Sequence, residues 1–466
     1  MSKKYLIIGA VACGTKAASK LRRLDNKAEI VLIDKSDTIS YGACGMPYYI
    51  SDEIKNIKKL YMSKKGIRDK RYFEEVKKID KVYVKTEAIH LDPSKKTVTL
   101  KNLETDRKFV ENYDKLIIAT GANPILPPLE GVDAENVFTL KKPESAVKIK
   151  KLLTEGKVKN VTVVGAGMIG IELAEAIKKY NVSLNLVDMA DRVLPALFDH
   201  TMAVDIHNKI KQEEVNLILN AKVKKIIKDS RGRIKAISIN NKELETDLVI
   251  FAAGFKPNTA LAQKAGLQTA SNGALLVDNF LKTSNPNIYA GGDCVMNKSR
   301  ITGENVYLPL GDIANIHGRL IAQNIHRGNT ESFDGVIQTA ITRFVDLNIG
   351  SVGLTLQKAK ELGYDVISST ITGNDKAGYY STNEKVKINM VADKKSHKIL
   401  GARIIGNGNV AKLINTLSMG LYYGIDVETL QKADLAYSPP FAPVLDNLII
   451  AANVLEKKLA KRKKNE

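Results

Sequence analysis

The chain has 466 residues, 44% of them hydrophobic and 26% charged, with a formal net charge of +20. That length exceeds one ordinary core and predicts about two to four domains, while the absence of any long apolar run argues against a membrane partner. The basic excess is Lys-rich and scattered. It lacks the interleaved aromatic residues of a single-strand surface, so no nucleic-acid partner is expected.

The start of the chain runs straight into a strand with no signal peptide, which predicts a cytoplasmic protein. Residues 5–8 read as an apolar strand, followed by Gly9-Ala10-Val11-Ala12-Cys13-Gly14 and an Ala-rich helical pattern to Leu24. A second strand, 30–33, ends at Asp34. This is a βαβ unit with the logic of dinucleotide binding. Gly9 makes the turn, Gly14 lets helix and strand pack, the helix N-terminus faces a pyrophosphate, and Asp34 takes a ribose hydroxyl. The middle glycine of the fingerprint is Val11 here.

Next comes Ser40-Tyr-Gly-Ala43-Cys44-Gly-Met-Pro47. Pro47 suits the first turn of a helix, which would set Cys44 near a helix N-terminus where the dipole favours a thiolate. Three cysteines, Cys13, Cys44 and Cys294, are too few for a disulfide framework, and the lack of a CxxC predicts neither a zinc site nor any other metal site. Cys13 and Cys294 read as small packed residues.

A Lys-rich amphipathic stretch (61–78) and alternating strands (82–84, 97–100) precede a buried strand that ends in Ala-Thr120-Gly121. Asn123-Pro124 and Pro127-Pro128 mark a linker. Residues 161–164 open a second βαβ unit with a full fingerprint, Gly165-Ala-Gly167-Met168-Ile169-Gly170, a helix, and a strand ending at Asp188. A carboxylate there accepts from a ribose 2′-hydroxyl and repels a 2′-phosphate, which favours NADH over NADPH. Residues 247–254 give another strand ending at Gly254, and Asn287-Ile-Tyr-Ala-Gly-Gly292-Asp293 follows. A long helix to Ile325 leads to a last α+β region of alternating strands and helices. The basic tail, 456–466, reads as a frayed, disordered terminus. Two dinucleotide units in one chain imply two adenine cofactors, a flavin and a nicotinamide.

These residues carry a resemblance over nearly the whole chain. The sequence resembles the flavoprotein pyridine nucleotide–disulfide oxidoreductases, and within them the single-cysteine branch of coenzyme A-disulfide reductase, NADH-dependent persulfide (polysulfide) reductase, NADH oxidase and NADH peroxidase. Residues 114–121 and 246–254 match the family's ATG motifs, and 289–293 its flavin-binding GD motif. The resemblance implies an α/β protein with two Rossmann-like domains, for FAD (1–120 and 260–330) and NAD(P)H (121–259), and a C-terminal α+β dimerisation domain (331–455). It implies Asp293 on the flavin ribityl chain. Glu172 matches a glutamate near the nicotinamide, or is a surface-helix charge.

Dithiol relatives carry a second cysteine five residues after the first, where this chain has Tyr49, so the resemblance leaves Cys44 acting alone. Oxidase and peroxidase relatives carry a histidine where this chain has Ala12, which favours disulfide chemistry over peroxide chemistry. Lys16, Lys20 and Arg23 share one helix face. They are either a solvated stripe or, with Ser40 and Ala43, the positions that hold coenzyme A in such reductases. Tyr379, Tyr380 and Tyr437 match segments that reach the partner's cysteine across a homodimer, or are simple packing residues. The implied reaction is NADH-dependent, FAD-mediated reduction of coenzyme A disulfide, with polysulfide or persulfide reduction and NADH oxidation as alternatives. Coenzyme A would be a substrate or a cap on Cys44.

Overall fold

The computed structural model describes residues 2–463. Tyr5, Leu6, Ile7 and Ile8 are all buried because their strand, Lys4–Ile8, lies at the centre of a five-stranded parallel sheet. The sheet runs Ile288–Ala290, Lys115–Ile118, Lys4–Ile8, Glu29–Ile33, Lys81–Tyr83, with Ile8 level with both Ile33 and Ile118. Its two faces follow the period of two of a strand. Tyr5, Ile7, Ile30 and Leu32 pack on the helices Cys13–Leu24 and Gly311–Arg327, through Ala17, Leu21 and Ile321. Leu6, Ile8, Val31 and Ile33 pack on an antiparallel sheet of Thr86–Asp92, Thr97–Asn102 and Lys108–Asn112, through Leu91, Val98 and Leu100.

The same plan recurs in the second unit. Val137–Thr139, Leu248–Phe251, Asn160–Val164, Ser183–Val187 and Asn216–Ile218 form a parallel sheet in that order. Val161 and Val163 face the helix Met168–Lys178, while Val187 and Phe251 face the antiparallel strands Val223–Lys228 and Ile234–Ile239. The chain crosses between the two units on an antiparallel pair, Ala122–Pro124 with Phe255–Pro257, at the linker expected around Asn123-Pro124.

The C-terminal unit is a five-stranded antiparallel sheet, in the order Ala340–Phe344, Leu347–Gly353, Ile399–Gly406, Lys385–Asp393, Val366–Asn374. The helices Val410–Tyr422 and Asn447–Lys463 cover one of its faces. The architecture is that of two Rossmann-like domains and an α+β C-terminal domain.

One expectation changes. The basic tail is not frayed over its length: the last helix continues to Lys463, because Leu455 and Leu459, one turn apart, are buried in the C-terminal core. Residues 464–466 of that tail lie outside the described residues. The Lys-rich stretch resolves into a small hairpin, Met62–Ser63 with Gly66–Ile67, and a π-helical turn, Tyr72–Val76, whose Tyr72 and Phe73 are buried.

Candidate active site

The two glycine turns are near copies. Gly9 (φ +107°) and Gly165 (φ +110°) lie in the backbone region that favours glycine. A Cβ on either would meet a carbonyl oxygen of the neighbouring strand end, Ala119 at 2.1 Å or Ala252 at 2.4 Å. Gly14 and Gly170 set the close approach of each helix to its own turn. Asp34 accepts from the N–H groups of Ala10 (2.7 Å) and Ser36 (2.8 Å). Asp188 accepts from those of Ala166 (2.6 Å) and Ala190 (2.8 Å). Each carboxylate therefore braces its glycine turn and keeps acceptor capacity for a ribose hydroxyl.

A cavity of about 330 Å³ opens against Gly9, Asp34, Lys35, Glu87, Thr120 and Asn258. In the second turn, a Cβ on Gly167 would meet nothing within 4 Å. The protein itself thus has no packing need for that glycine, which fits a nucleotide backbone approaching there, next to Met168 and Ile169 in the first helical turn. Gly121 (φ +67°) and Gly254 (φ +97°) end the two ATG strands. Between them, the Thr120 hydroxyl donates to the carbonyl of Asn258 at 2.5 Å.

Gly292 (φ +79°) donates its N–H to Nδ1 of His317 at 3.1 Å, on the buried side of the Gly311–Arg327 helix. Burial holds His317 down to about 3, so the ring is neutral and can accept this bond. Asp293 follows. Burial pushes its carboxyl up, and Lys141, 3.8 Å away, offsets part of that rise. A desolvated carboxylate with one distant cation still needs hydrogen-bond donors, and the hydroxyls of a ribityl chain would supply them. Cys13 and Cys294 are buried beside this turn, the former so close that a Cβ on Gly291 would meet its sulfur at 2.9 Å.

The Cys44 segment is tied to the first glycine turn and to the chain beyond it. Ser40 donates its N–H to the carbonyl of Ala10 (2.7 Å), and Gly42 donates to Leu60 (2.8 Å). The turn Ala43–Gly45 leads into the helix Met46–Ile50, with Pro47 in its first turn as expected. Cys44 is exposed, unlike Cys13 and Cys294. The dipole expectation fails, however. Packing around the turn, then the charges of Glu172 and Asp293, push the Cys44 thiol up; its own N–H and Lys141 only partly oppose them. A helix of five residues carries too little aligned dipole to outweigh burial and two carboxylates. Position 49 is filled by Tyr49, whose ring faces Lys150 at 4.3 Å.

Glu172 is half-buried and not a surface-helix charge. Thr342, from the C-terminal domain, donates to its carboxylate at 3.1 Å. Burial pushes Glu172 up from its ordinary 4.5 to about 7, with Glu175 adding to the rise and Thr342 opposing it. Such a carboxyl binds its proton more tightly folded than unfolded, so it costs stability progressively as pH rises from about 4.5 to about 7, and no further above that. Glu172→Gln should therefore melt with a smaller loss than the parent protein between about pH 5 and about pH 8; equal losses would refute the buried setting. Nearby, Arg343 ties three segments together. Its Nε donates to Glu175 (2.9 Å), and its Nη2 is shared between the two carboxylate oxygens of Glu53 (2.7 and 2.8 Å).

Of the residues expected to meet the substrate, Lys16 and Arg23 are exposed, Lys20 and Ala43 are half-buried and Ser40 is buried. Tyr379 is 77% exposed and, lying beside Tyr437, pushes the Tyr437 hydroxyl up. Tyr380 is half-buried. The charges that act on Cys44 come from Glu172, Asp293 and Lys141 of its own chain, and none of the three tyrosines is among them. Lys141, His317, Thr342 and Arg343 are functional candidates that the sequence alone did not single out.

A family model described as pyridine nucleotide-disulphide oxidoreductase matches residues 3–308, and the family's dimerisation domain matches residues 339–449. The chain is 33% identical over 454 residues, 97% of its length and 99% of the relative, to the NAD(P)H sulfur oxidoreductase (CoA-dependent) of Pyrococcus furiosus. Among solved structures it is similar to an NAD-dependent persulfide reductase from A. fulgidus, with 40% identity, a TM-score of 0.95, and coverage of 98% of this chain and 84% of that one. It is also similar to a water-forming NADH oxidase from Lactobacillus brevis bound to NADH, with 30% identity, a TM-score of 0.92, and coverage of 99% and 100%.

Proposed function

The chain belongs to the pyridine nucleotide-disulphide oxidoreductases, FAD-dependent NAD(P)H oxidoreductases, and we propose that it reduces a small sulfur–sulfur substrate, coenzyme A disulfide or a persulfide or polysulfide, through Cys44 alone. The observation that carries this reading is one exposed thiol, with both other cysteines buried, acted on by charges from both nucleotide-binding domains: Glu172 of one and Asp293 of the other. FAD, when bound, supplies a two-electron relay between a nicotinamide and sulfur.

The chain's own residues do the rest. The first glycine turn, Asp34, Thr120 and Asp293 would hold the flavin nucleotide. Gly165, Gly167, Gly170 and Asp188 would hold NADH. The Cys44 thiolate attacks one sulfur of the substrate, the S–S bond breaks, and one thiol leaves with a proton while a mixed disulfide forms on Cys44. Two electrons and a proton then restore the thiolate and free the second thiol. Glu172, with its raised proton affinity near Cys44, is suited to hold that proton. The ridge of Lys16, Lys20 and Arg23 would attract an anionic substrate such as one bearing the coenzyme A phosphates. In a homodimer built on the C-terminal domain, the exposed Tyr379 and Tyr437 would donate to sulfur at the partner's cysteine.

An oxidase reading shares the cofactors. Against it stands Ala12, an apolar side chain that can neither donate nor accept a proton at the N-cap of the Cys13–Leu24 helix. NADH consumption under nitrogen with coenzyme A disulfide, or with polysulfide, should exceed oxygen uptake with NADH alone by about tenfold or more. Oxygen uptake at the faster rate would instead make the protein an oxidase.

A further inference from the structure

Arg403 is 2% exposed, and its guanidinium hydrogen-bonds only backbone carbonyls among the described residues. Most of its acceptors belong to the C-terminal domain: Leu354 (2.7 Å), Gly353 (3.0 Å), Val352 (3.2 Å) and Ala402 (3.4 Å). The shortest bond leaves that domain: Nε donates to the carbonyl of Leu197 at 2.6 Å. Burying a charge without a bonded counter-ion costs stability, and an apolar residue of similar volume would serve packing at least as well. The reach to Leu197 is what an apolar residue could not make.

Leu197 lies in the loop that runs from Asp188 to the helix His200–Gln212. That loop is held from both sides. On the nucleotide side, Leu194 donates its N–H to the carbonyl of Ala166 (2.9 Å), inside the second glycine turn, and holds φ at +50° to do so. Ala166 is also the residue whose N–H bonds Asp188. On the far side, the C-terminal domain takes hold through Arg403 and through Asp199, which accepts from the N–H groups of Leu356 (2.9 Å) and Gln357 (3.4 Å). Within the loop, Leu197 and Phe198 both donate back to the carbonyl of Leu194, at 2.8 and 3.0 Å. A bonded path therefore runs Arg403, Leu197, Leu194, Ala166, Asp188.

We propose that Arg403 is a positioning residue for the pyridine nucleotide: by fixing the Leu194 to Leu197 turn against Ala166 it sets the shape of the glycine turn and the aim of Asp188. The C-terminal domain thereby governs nucleotide affinity as well as any contact between subunits. The inference rests on the reading of Gly165 to Gly170 and Asp188 as the NADH site, and the test separates the two.

Three variants of the full-length flavoprotein are compared by steady-state kinetics with NADH, with flavin content recorded for each. Asp188→Ala tests the site itself. Arg403→Met keeps the volume and removes the fork. Asp199→Ala loosens the same loop from a half-buried position, so a failure of Arg403→Met to fold leaves the question decidable. The expected result is a KM for NADH raised about tenfold in Arg403→Met and in the same direction in Asp199→Ala, with kcat and flavin content kept, the size of one lost charge-assisted hydrogen bond. If Asp188→Ala raises KM while the loop variants that fold leave it unchanged, the positioning role is overturned and the site stands. A loss of flavin and kcat at constant KM also overturns it, since that is a purely structural role. If Asp188→Ala has no effect, the site reading fails and the inference with it.

Discussion

Replacing Cys44 by serine is expected to abolish sulfur-substrate turnover while leaving a folded, flavin-binding protein. Serine differs from cysteine by one atom, and the turn around position 44 is held by backbone groups of its neighbours: Gly45 donates to Gly42 at 3.0 Å, and Gly42 to Leu60. None of these bonds needs the thiol. A hydroxyl has far too high a pKa to be a nucleophile at neutral pH without a positioned base, and sulfur–sulfur exchange runs through a thiolate. No other thiol can take over, because Cys13 and Cys294 are buried and burial pushes both thiols up. The rate should fall by about a thousandfold or more, the scale typical of losing a covalent nucleophile. Flavin absorbance at unchanged occupancy, with NADH oxidation measured against disulfide or polysulfide, gives the answer. Turnover retained in the serine variant would end the single-cysteine mechanism.

The raised thiol of Cys44 sharpens this expectation. Burial first, and then the charges of Glu172 and Asp293, push the Cys44 thiol up. Protonation of Glu172, which burial favours, removes the stronger of those two charge effects on Cys44. Proton affinity at Glu172 and the ease of ionising Cys44 are thereby linked across a domain boundary, with Thr342 of the C-terminal domain donating to the linking carboxylate.

Such links explain what could be read from the sequence and what could not. Both βαβ units were legible because their signals are local. The glycine spacing, the apolar strand before it and the acid after the next strand all act within one short stretch, and in the structure Asp34 and Asp188 each accept from a backbone N–H of their own glycine turn. That Cys44 has no second cysteine five residues on was legible from Tyr49. Lys141 and His317 were not, because each meets its partner, Asp293 or Gly292, from elsewhere in the chain and carries no motif of its own. The direction of the Cys44 shift was misjudged for the same reason: the helix start is local, whereas the burial that raises the thiol most, and the carboxylates of Glu172 and Asp293 that add to it, come from the tertiary packing. The antiparallel sheets of both Rossmann-like units were only partly seen, since strands such as Lys108–Asn112 are mostly exposed and lack an apolar period. The tail was misread because two leucines among many lysines suffice to hold a helix that composition alone assigns to solvent.

The second large effect is expected at Gly167, and it separates what the fold needs from what the nucleotide needs. Gly165 and Gly167 are both fingerprint glycines, but only the first is required by the protein. At Gly165 a side chain would need φ +110° and would strike the carbonyl of Ala252. Gly167 has φ −75° and ψ −172°, ordinary for any residue, and open space where its Cβ would be. Valine at 167 should therefore leave the melting temperature nearly unchanged, within the about 0.5 kcal/mol typical of a substitution that touches nothing, and should leave the flavin bound. It would fill the space where a pyrophosphate must come close to the start of the Met168–Lys178 helix. In the first turn Val11 stands at the matching place, and the helix there starts one step later, with Ala12 as N-cap. Flavin reduction by NADH in Gly167→Val should need at least about tenfold more NADH for half-saturation, or fail altogether. The matched Gly165→Val should instead lose the folded protein. A Gly167→Val enzyme with parental NADH affinity would place the nicotinamide nucleotide somewhere other than this turn.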